Sequence, residues 1–230
     1  MRKLLFTSGS PFARGVRIIL DELELEYERQ EEITTPTVEN RAAATPTLQV
    51  PTLWDNGNVL WESGLISEYL ISIYPERSDI MPPLSSTTWR GESEWQDKLI
   101  FATIQTLGSA ATTISQMHWS GIAHKENEYL TRCADRFEHL LPWLEERLTS
   151  ESEGFYSGVV SIQDIFLTCH LRFIENRPLS LDPGLSLYPK IKSLVARMEM
   201  RQSFQINPIL WWEPGVVGYA EDGKTPIFDN

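Results

Sequence analysis

Apolar residues in the first third of the chain follow two different spacings, and each predicts a different element. The apolar run at 3–7 is typical of a β-strand. From Pro11 onward the apolar residues recur every three or four positions, which predicts a helix: Phe12, Val16, Ile19, Leu20 and Leu23. A second, Glu-rich strand is predicted over 25–33, and a short Ala-rich helix over 38–44.

Two short apolar runs at 51–54 and 59–61 enclose the sequence Asp-Asn-Gly-Asn. Asn and Gly tolerate positive φ, so this arrangement predicts a β-hairpin. Ser63 follows the hairpin in the position of an N-cap and predicts the start of another helix. The element order β-α-β-α-β-β-α predicts a sheet of about four strands with helices packed on it, in a domain of ordinary size.

The pattern changes after a Pro- and Ser/Thr-rich stretch at 75–88, which is typical of a linker. Four amphipathic segments with helical spacing follow, within 99–107, 133–148, 162–173 and 191–198. Helices of unequal length without a repeat predict a bundle. Prolines and glycines interrupt the chain beyond about residue 204, so the C-terminal tail is expected to be irregular. The predicted fold class is α+β with two domains.

Composition excludes several classes of protein. An apolar fraction of 41% is enough for a buried core. No apolar run approaches the roughly 20 residues of a membrane span, and the N-terminus lacks a signal peptide's apolar region. We therefore expect a cytoplasmic protein without a membrane partner. The net charge of −12 is spread along the chain, so the sequence gives no sign of the basic patch that binds nucleic acid.

Neither cysteines nor histidines predict a reactive or metal-binding group. Cys133 and Cys169 each lie in a helical pattern and are interpreted as reduced, buried residues. The four histidines and two cysteines show no metal-ligand spacing, so no metal is expected.

The predicted strand-to-helix corner at 7–10 is the first candidate site. A thiol-disulfide protein would carry a reactive cysteine here, whereas this chain has Ser8 and Ser10. Ser10 fits an N-cap, with Pro11 as the first helical residue. Its hydroxyl is either a helix cap, a chemical group, or both.

Two dipeptides near the hairpin form a second candidate site. Pro51 cannot donate to a strand ladder, so Val50-Pro51 is either an ordinary trans bond at an edge or a cis bond that turns the backbone of Val50 toward a ligand. A helix N-terminus at Ser63 suits a carboxylate, and Glu62 beside it suits an ammonium group. The pair fits the zwitterionic end of an amino acid or peptide; the simpler interpretation is a cap beside a solvated Glu.

The sequences SPFARGVRIIL and VPTLWDNGNVLWES, with the two-part layout, resemble the cytosolic glutathione transferases up to about residue 205. A third match is Ser-Ile-Gln-Asp, in which Ser161 and Asp164 resemble that family's buried capping box. The resemblance implies a thioredoxin-like domain over 1–77, an all-α domain over 88–230, glutathione as co-substrate, and a homodimer.

The resemblance also implies that the substrate brings the reactive thiol. Ser10, in a context similar to the family's serine-using members, would hydrogen-bond the glutathione thiolate, and Ser8 is the second candidate. Related members with Cys-Pro-Phe at this place perform thiol exchange, which Ser10 disfavours.

Further roles for the hairpin region follow from the same resemblance. Val50 would pair through its backbone with the cysteinyl part of glutathione, next to a cis Pro51. Glu62 and Ser63 would hold the γ-glutamyl ammonium and carboxylate, and Gln49 would stand near the glycyl carboxylate. Leu48 and Gln49 replace the Gly and Lys of the family's usual sequence, which removes a charge at the glycyl end.

The site for the second substrate is expected between the two halves of the chain. Its candidate residues are Phe12, Met117, His118, Trp119 and Phe166. Eight tryptophans and an aromatic tail with Trp211 and Trp212 favour an apolar, aromatic pocket for an apolar electrophile. The alternative is that these residues pack the core or a dimer contact.

Three functions therefore remain open at this point. The leading hypothesis is a glutathione transferase that adds glutathione to an apolar electrophile in detoxification. The second is another glutathione enzyme on this scaffold: a peroxidase, a dehalogenase or a β-ether-cleaving enzyme. The third is a non-catalytic binding protein with the same fold.

Overall fold

The computed structural model describes residues 1–32, 38–75, 80–81, 94–177, 179, 181–210, 216–220 and 225–228. The first part is a four-stranded sheet in the order β2-β1-β3-β4. Its strands are β1 (Lys3–Phe6), β2 (Glu28–Glu31), β3 (Thr52–Asp55) and β4 (Asn58–Trp61). β2 runs parallel to β1, and β3 and β4 run antiparallel to their neighbours. The helices of this part are α1 (Pro11–Glu22), α2 (Val38–Ala42) and α3 (Ser63–Ile73).

The sheet confirms the strand and hairpin predictions. Leu4 pairs with Leu53 in register, and both side chains are fully buried. The β3–β4 turn has Asn56 at φ 49° and Gly57 at φ 79°, the conformation for which the Asn-Gly pair is suited.

The second part is helical, which confirms the two-domain α+β class. It contains α4 (Glu94–Trp119), α5 (Glu128–Arg147), α6 (Ile162–Glu175), α7 (Pro189–Glu199) and α8 (Gln202–Gln205). Single 3₁₀ turns lie at His124–Glu126 and Leu185–Leu187. Nearly every residue of α6 is buried, so this helix is the centre of the helical part.

Short strands differ from the expectation of a plain linker at 75–88 and an all-α domain after it. β5 (Ile80–Met81) pairs in parallel with β6 (Val160–Ser161), directly before α6. β7 (Val216–Tyr219) pairs antiparallel with β8 (Pro226–Phe228), so the C-terminal tail is not irregular throughout. The Asp-Gly pair at 222–223, between two short β-prone runs, was the available signal. The expected domain limits at 77 and 88, and the Trp pair at 211–212, lie outside the described residues.

α1 and α6 pack against each other unusually closely. A Cβ placed on Gly15 would lie 2.6 Å from the ring of Phe166, well inside contact distance. The same buried apolar cluster includes side chains from the sheet, α1 and α6. The two parts of the chain therefore share one core.

Ion pairs and hydrogen bonds fasten the C-terminal segment to α1. The buried Arg14 donates through Nε to the Asn207 carbonyl at 2.7 Å and pairs through Nη2 with Glu199 at 3.1 Å. Glu22 accepts two 2.7 Å bonds from the guanidinium of Arg201. Bidentate Arg–carboxylate pairs fix orientation as well as distance.

The predicted capping box stands at the start of α6. One Asp164 carboxylate oxygen accepts from the backbone N–H and the hydroxyl of Ser161, both at 2.8 Å, and the other accepts from the Phe155 N–H at 3.0 Å. The Ser161 Oγ in turn accepts from the Asp164 N–H at 3.2 Å. Burial raises the pKa of Asp164 above its ordinary value, and these hydrogen bonds oppose the rise.

Substitution Asp164→Ala should lower the free energy of unfolding by about 1–3 kcal/mol, because it leaves buried donors without an acceptor. Chemical denaturation measures this loss. Asp135→Ala, which removes an exposed carboxylate from α5, is the matched control and should change stability little. Equal stability of the two variants would show that the box does not hold α6.

Candidate functional site

The corner between β1 and α1 is a tight turn held from both parts of the chain. The Ser10 N–H donates to the Thr7 carbonyl at 3.1 Å and closes the turn. The Gly9 carbonyl accepts from Nη2 of Arg177 at 3.1 Å, just beyond the end of α6. Arg177 is buried. The helical part therefore fixes the position of the corner.

Ser10 is the N-cap of α1, as predicted. Its backbone is extended, and its Oγ accepts from the Ala13 N–H at 3.2 Å. Because the hydroxyl acts as an acceptor in this bond, its own hydrogen can be donated elsewhere. The N-terminus of a 12-residue helix also favours an anion at this place.

Ser8 is placed differently from Ser10. Its side chain is only 3% exposed, and its Oγ has no hydrogen-bond partner among the described residues. It lies outside the cleft that Ser10 lines. Of the two hydroxyls, Ser10 is therefore the one that can reach a ligand there.

A cleft with a volume of about 360 Å³ opens beside Ser10. The first part of the chain contributes the six site residues predicted from sequence, Ser10, Gln49, Val50, Pro51, Glu62 and Ser63. The opposite wall comes from α4 and the end of α6. Residues far apart in sequence are thus brought together around one space, which falls in the usual range for a small-molecule site.

The Val50–Pro51 bond is cis, as predicted. Val50 is half-buried and Pro51 is buried, directly before the first residue of β3. Val50 lines the cleft, directly before a strand that is paired on both sides.

The prediction that Ser63 caps α3 is wrong. Glu62 is the N-cap, at φ 69° and ψ 111°, and its carbonyl accepts from the Ile66 N–H at 2.9 Å. Ser63 is already helical, and its Oγ accepts instead from Nε2 of Gln105 on α4, at 3.2 Å. The positive φ of Glu62 turns the chain into the helix one residue early. Such conformations cost about 1–3 kcal/mol in a non-glycine residue and cluster at functional sites.

Sequence reasoning missed Arg41 of α2, which also lines the cleft. Its Nη2 pairs with Glu32 at 2.6 Å, and its Nη1 donates to the Leu48 carbonyl at 3.0 Å. Leu48 is at φ 57°, a left-handed conformation at the position where the glutathione transferases usually have Gly. Arg41 is the only Lys or Arg among the described residues that line the cleft. No sequence motif marks it, because the fold alone carries it to the site.

Only two of the five candidates for a second-substrate site line the cleft, namely Phe12 and Trp119. Phe166 is fully buried and packs edge-to-face on Phe101, with ring centroids 5.4 Å apart. Met117 and His118 lie on α4 but outside the cleft. None of these three side chains lines the cleft: Phe166 belongs to the core, and Met117 and His118 lie off the helix face that meets it.

Small polar residues of α4 form the wall that sequence reasoning missed. Ser109, Thr112, Thr113 and Gln116 follow the 3–4 spacing of one helix face and line the cleft, together with Phe173 of α6. The hydroxyls of Ser109 and Thr112 donate to helix carbonyls at 2.9 Å, so they present lone pairs to a ligand. The spacing was visible in the sequence, but nothing there showed which face meets the cleft.

The described residues contain no group of three or more His, Cys, Asp and Glu placed to hold a metal ion. In the described part of the chain, no helix is both long enough and apolar enough to cross a membrane. Cys133 and Cys169 are buried and unpaired, and burial raises the pKa of Cys169 to about 11.

Comparison with known families and structures agrees with this geometry. Residues 4–78 match the family model described as glutathione S-transferase, N-terminal domain. No curated protein sequence matches the chain.

Solved glutathione S-transferases share the fold of at least nine-tenths of the chain. One from Methylobacterium radiotolerans, in complex with glutathione sulfonate, has 20% identity and a TM-score of 0.74, with 90% of this chain and 93% of that one covered. One from Methylobacillus flagellatus with glutathione bound has 21% identity and a TM-score of 0.74, covering 93% and 100%. A family member from Pseudomonas fluorescens with bound glutathione has 20% identity and a TM-score of 0.73, covering 94% and 100%.

At these identities the structures establish the fold, while the sequence match covers the first part of the chain. Residues 4–78 match the glutathione S-transferase N-terminal domain family, and the chain has the two-domain fold of the glutathione S-transferases.

Proposed function

We propose that this chain is a glutathione transferase that binds glutathione in the cleft, stabilises its thiolate at Ser10 and transfers the sulfur to an electrophilic carbon. The observation that carries the proposal is the Ser10 hydroxyl, which caps α1 and lines the same cleft as Val50, Glu62 and Ser63. The glutathione bound in two solved proteins of this fold gives further support.

Catalysis in this proposal consists of lowering the pKa of the bound thiol. A free thiol has a pKa near 8.5, so only a few per cent is ionised at neutral pH. The Ser10 O–H donates to the sulfur anion, and the positive end of α1 favours the same charge. Each unit of lowered pKa corresponds to about 1.4 kcal/mol. The thiolate lone pair then forms the C–S bond, while the leaving group departs with its bonding electrons.

The remaining cleft residues orient glutathione. We assign the cysteinyl backbone to Val50, the γ-glutamyl ammonium to Glu62 and its carboxylate to Ser63 at the start of α3. Gln49 and Arg41 face the glycyl carboxylate. Arg41 supplies the positive charge that the Leu48–Gln49 sequence lacks, and its position is fixed by Glu32.

The other substrate is an electrophile, and the cleft supports one with mixed polarity. Phe12, Trp119 and Phe173 offer aromatic surface, whereas Ser109 and Thr112 of α4 offer hydrogen-bond acceptors. We therefore propose an aromatic electrophile with a polar substituent. This is less apolar than the electrophile that the sequence suggested.

The assembly we propose is a homodimer. Three large apolar side chains on α3 and α4 are strongly exposed in the single chain: Leu65 at 54%, Trp95 at 68% and Leu99 at 49%. Exposed apolar side chains of this size are typical of interaction surfaces when they cluster. Sedimentation should give twice the chain mass of 26.4 kDa, whereas a single 26.4 kDa species at micromolar concentration would exclude the dimer.

We also propose that the protein works in detoxification in the cytoplasm. The two buried free thiols, Cys133 and Cys169, fit a reducing compartment. Cell fractionation would contradict this location if the protein were found in an oxidising compartment.

Ser10→Ala should lower kcat by roughly 10- to 1000-fold, the range for losing one donor to an anion in a preorganised site. The KM for glutathione should change much less, because Val50, Glu62 and Ser63 still hold the molecule. Steady-state kinetics with 1-chloro-2,4-dinitrobenzene measure both constants.

Ser8→Ala is the matched control, since it removes a nearby hydroxyl outside the cleft. Ser10→Gly tests the capping role, because Gly replaces Ser as an N-cap at a cost of only a few tenths of a kcal/mol. Ser10→Gly should therefore be as inactive as Ser10→Ala yet more stable. Full activity in both Ser10 variants would exclude the hydroxyl mechanism. Glutathione binding without turnover in the unmodified protein would favour a non-catalytic binding protein.

Arg41→Gln should raise the KM for glutathione about 10-fold, because one charge-assisted hydrogen bond to a carboxylate is lost. The KM for γ-glutamylcysteine, which lacks the glycyl residue, should not change. Arg132→Gln, on the exposed surface of α5, is the control for a general change in charge. An equal rise in KM for both thiols would show that Arg41 does not act on the glycyl carboxylate.

A further inference from the structure

A short chain of polar groups runs from α6 through α4 to the first residue of α3. Nε2 of His170 on α6 lies 2.9 Å from Oε1 of Gln105 on α4. Nε2 of the same Gln105 amide donates to Oγ of Ser63 at 3.2 Å. His170 is fully buried and Ser63 is 5% exposed. The helical part thus reaches a residue of the cleft through two consecutive hydrogen bonds.

The surroundings of His170 determine the direction of these hydrogen bonds. Burial lowers the pKa of His170 to about 3, so the ring is neutral at neutral pH and carries a single N–H. Its Nδ1 is buried without a hydrogen-bond partner among the described residues. A proton on Nδ1 would therefore be an orphaned buried donor, which is rarer in proteins than an unused acceptor. The proton consequently lies on Nε2, and the oxygen of the Gln105 amide faces it.

Close packing holds the ring and the amide in this arrangement. A Cβ on Gly108 would lie 2.3 Å from the His170 ring, so the ring occupies the space beside the backbone of α4. Phe12 packs edge-to-face against the same ring, with centroids 4.7 Å apart. At the other end, a Cβ on Gly64 would lie 2.7 Å from Phe101 and 3.5 Å from the amide nitrogen of Gln105.

We propose that His170 and Gln105 are positioning residues that orient the Ser63 hydroxyl as a donor to the γ-glutamyl carboxylate of glutathione; this rests on the proposed role of Ser63. Because Ser63 Oγ accepts the N–H of Gln105, the hydroxyl hydrogen is turned away from Gln105 and toward the cleft. A hydroxyl whose orientation is already fixed loses less entropy when the ligand binds.

The most direct test replaces Gln105 by Leu, which keeps the volume and removes both hydrogen bonds. Calorimetry should show the Kd of glutathione rising about 5- to 20-fold, the effect expected for weakening one hydrogen bond to a charged group. The KM for glutathione should rise by the same factor, with kcat within about 2-fold, because Ser10 is untouched. Gln96→Leu, an exposed position of α4, is the matched control.

Two further measurements separate positioning from a general structural effect. The first probe is γ-aminobutyryl-cysteinylglycine, which differs from glutathione only in lacking the γ-glutamyl carboxylate; its Kd should be the same in Gln105→Leu and the unmodified protein. The second is a double-mutant cycle, in which Gln105→Leu should add nothing to the effect of Ser63→Ala. His170→Phe keeps the aromatic packing and should raise the Kd of glutathione by a smaller factor than Gln105→Leu does. If His170→Phe does not fold, the Gln105→Leu measurements decide the matter.

An unchanged Kd for glutathione in Gln105→Leu would overturn the positioning role of His170 and Gln105, while leaving the proposed function standing. Additive effects of Gln105→Leu and Ser63→Ala would also overturn it, because the two residues would then act independently. Failure of the unmodified protein to bind glutathione would overturn both the proposed function and the positioning role of His170 and Gln105.

Discussion

The close contact between α1 and α6 at Gly15 and Phe166 is the constraint on which the rest of the structure depends. With a Cβ at Gly15 only 2.6 Å from the Phe166 ring, the two helices could not approach as they do. This approach places the end of α6 where Arg177 reaches the Gly9 carbonyl, and it places α4 opposite the residues of the first part that line the cleft. The cleft is therefore a consequence of how the two parts share one core, since neither part encloses it alone.

The cleft brings together groups that can bind charges of both signs. Its described residues include no cysteine at the corner and no group of side chains suited to a metal. What it offers is a hydroxyl with its acceptor side occupied by Ala13, a helix N-terminus, and separate partners for charges of both signs at Glu62 and Arg41. This arrangement supports the proposal that the cleft holds a zwitterionic peptide and stabilises its thiolate.

Features encoded in short stretches could be predicted from the sequence. The cap at Ser10 and the Asn56–Gly57 turn each depend on a few neighbouring residues. The cis bond at Pro51 and the box of Ser161 and Asp164 were expected from the family resemblance that such short stretches carry. Features that depend on how distant helices meet could not. Arg41, the hydroxyl wall of α4 and the bond from Gln105 to Ser63 arise only when the helices come together. The prediction that Ser63 caps α3 was wrong because Glu62 adopts a positive φ, a conformation that Gly or Asn usually marks in a sequence.

The measurement that tests the account most directly is a pH titration of the ultraviolet thiolate absorbance of glutathione bound to the unmodified protein. If the cleft binds glutathione and the corner stabilises its thiolate, the pKa of the bound thiol should fall at least about one unit below its ordinary value near 8.5. A bound thiol that ionises at the same pH as free glutathione would contradict the account.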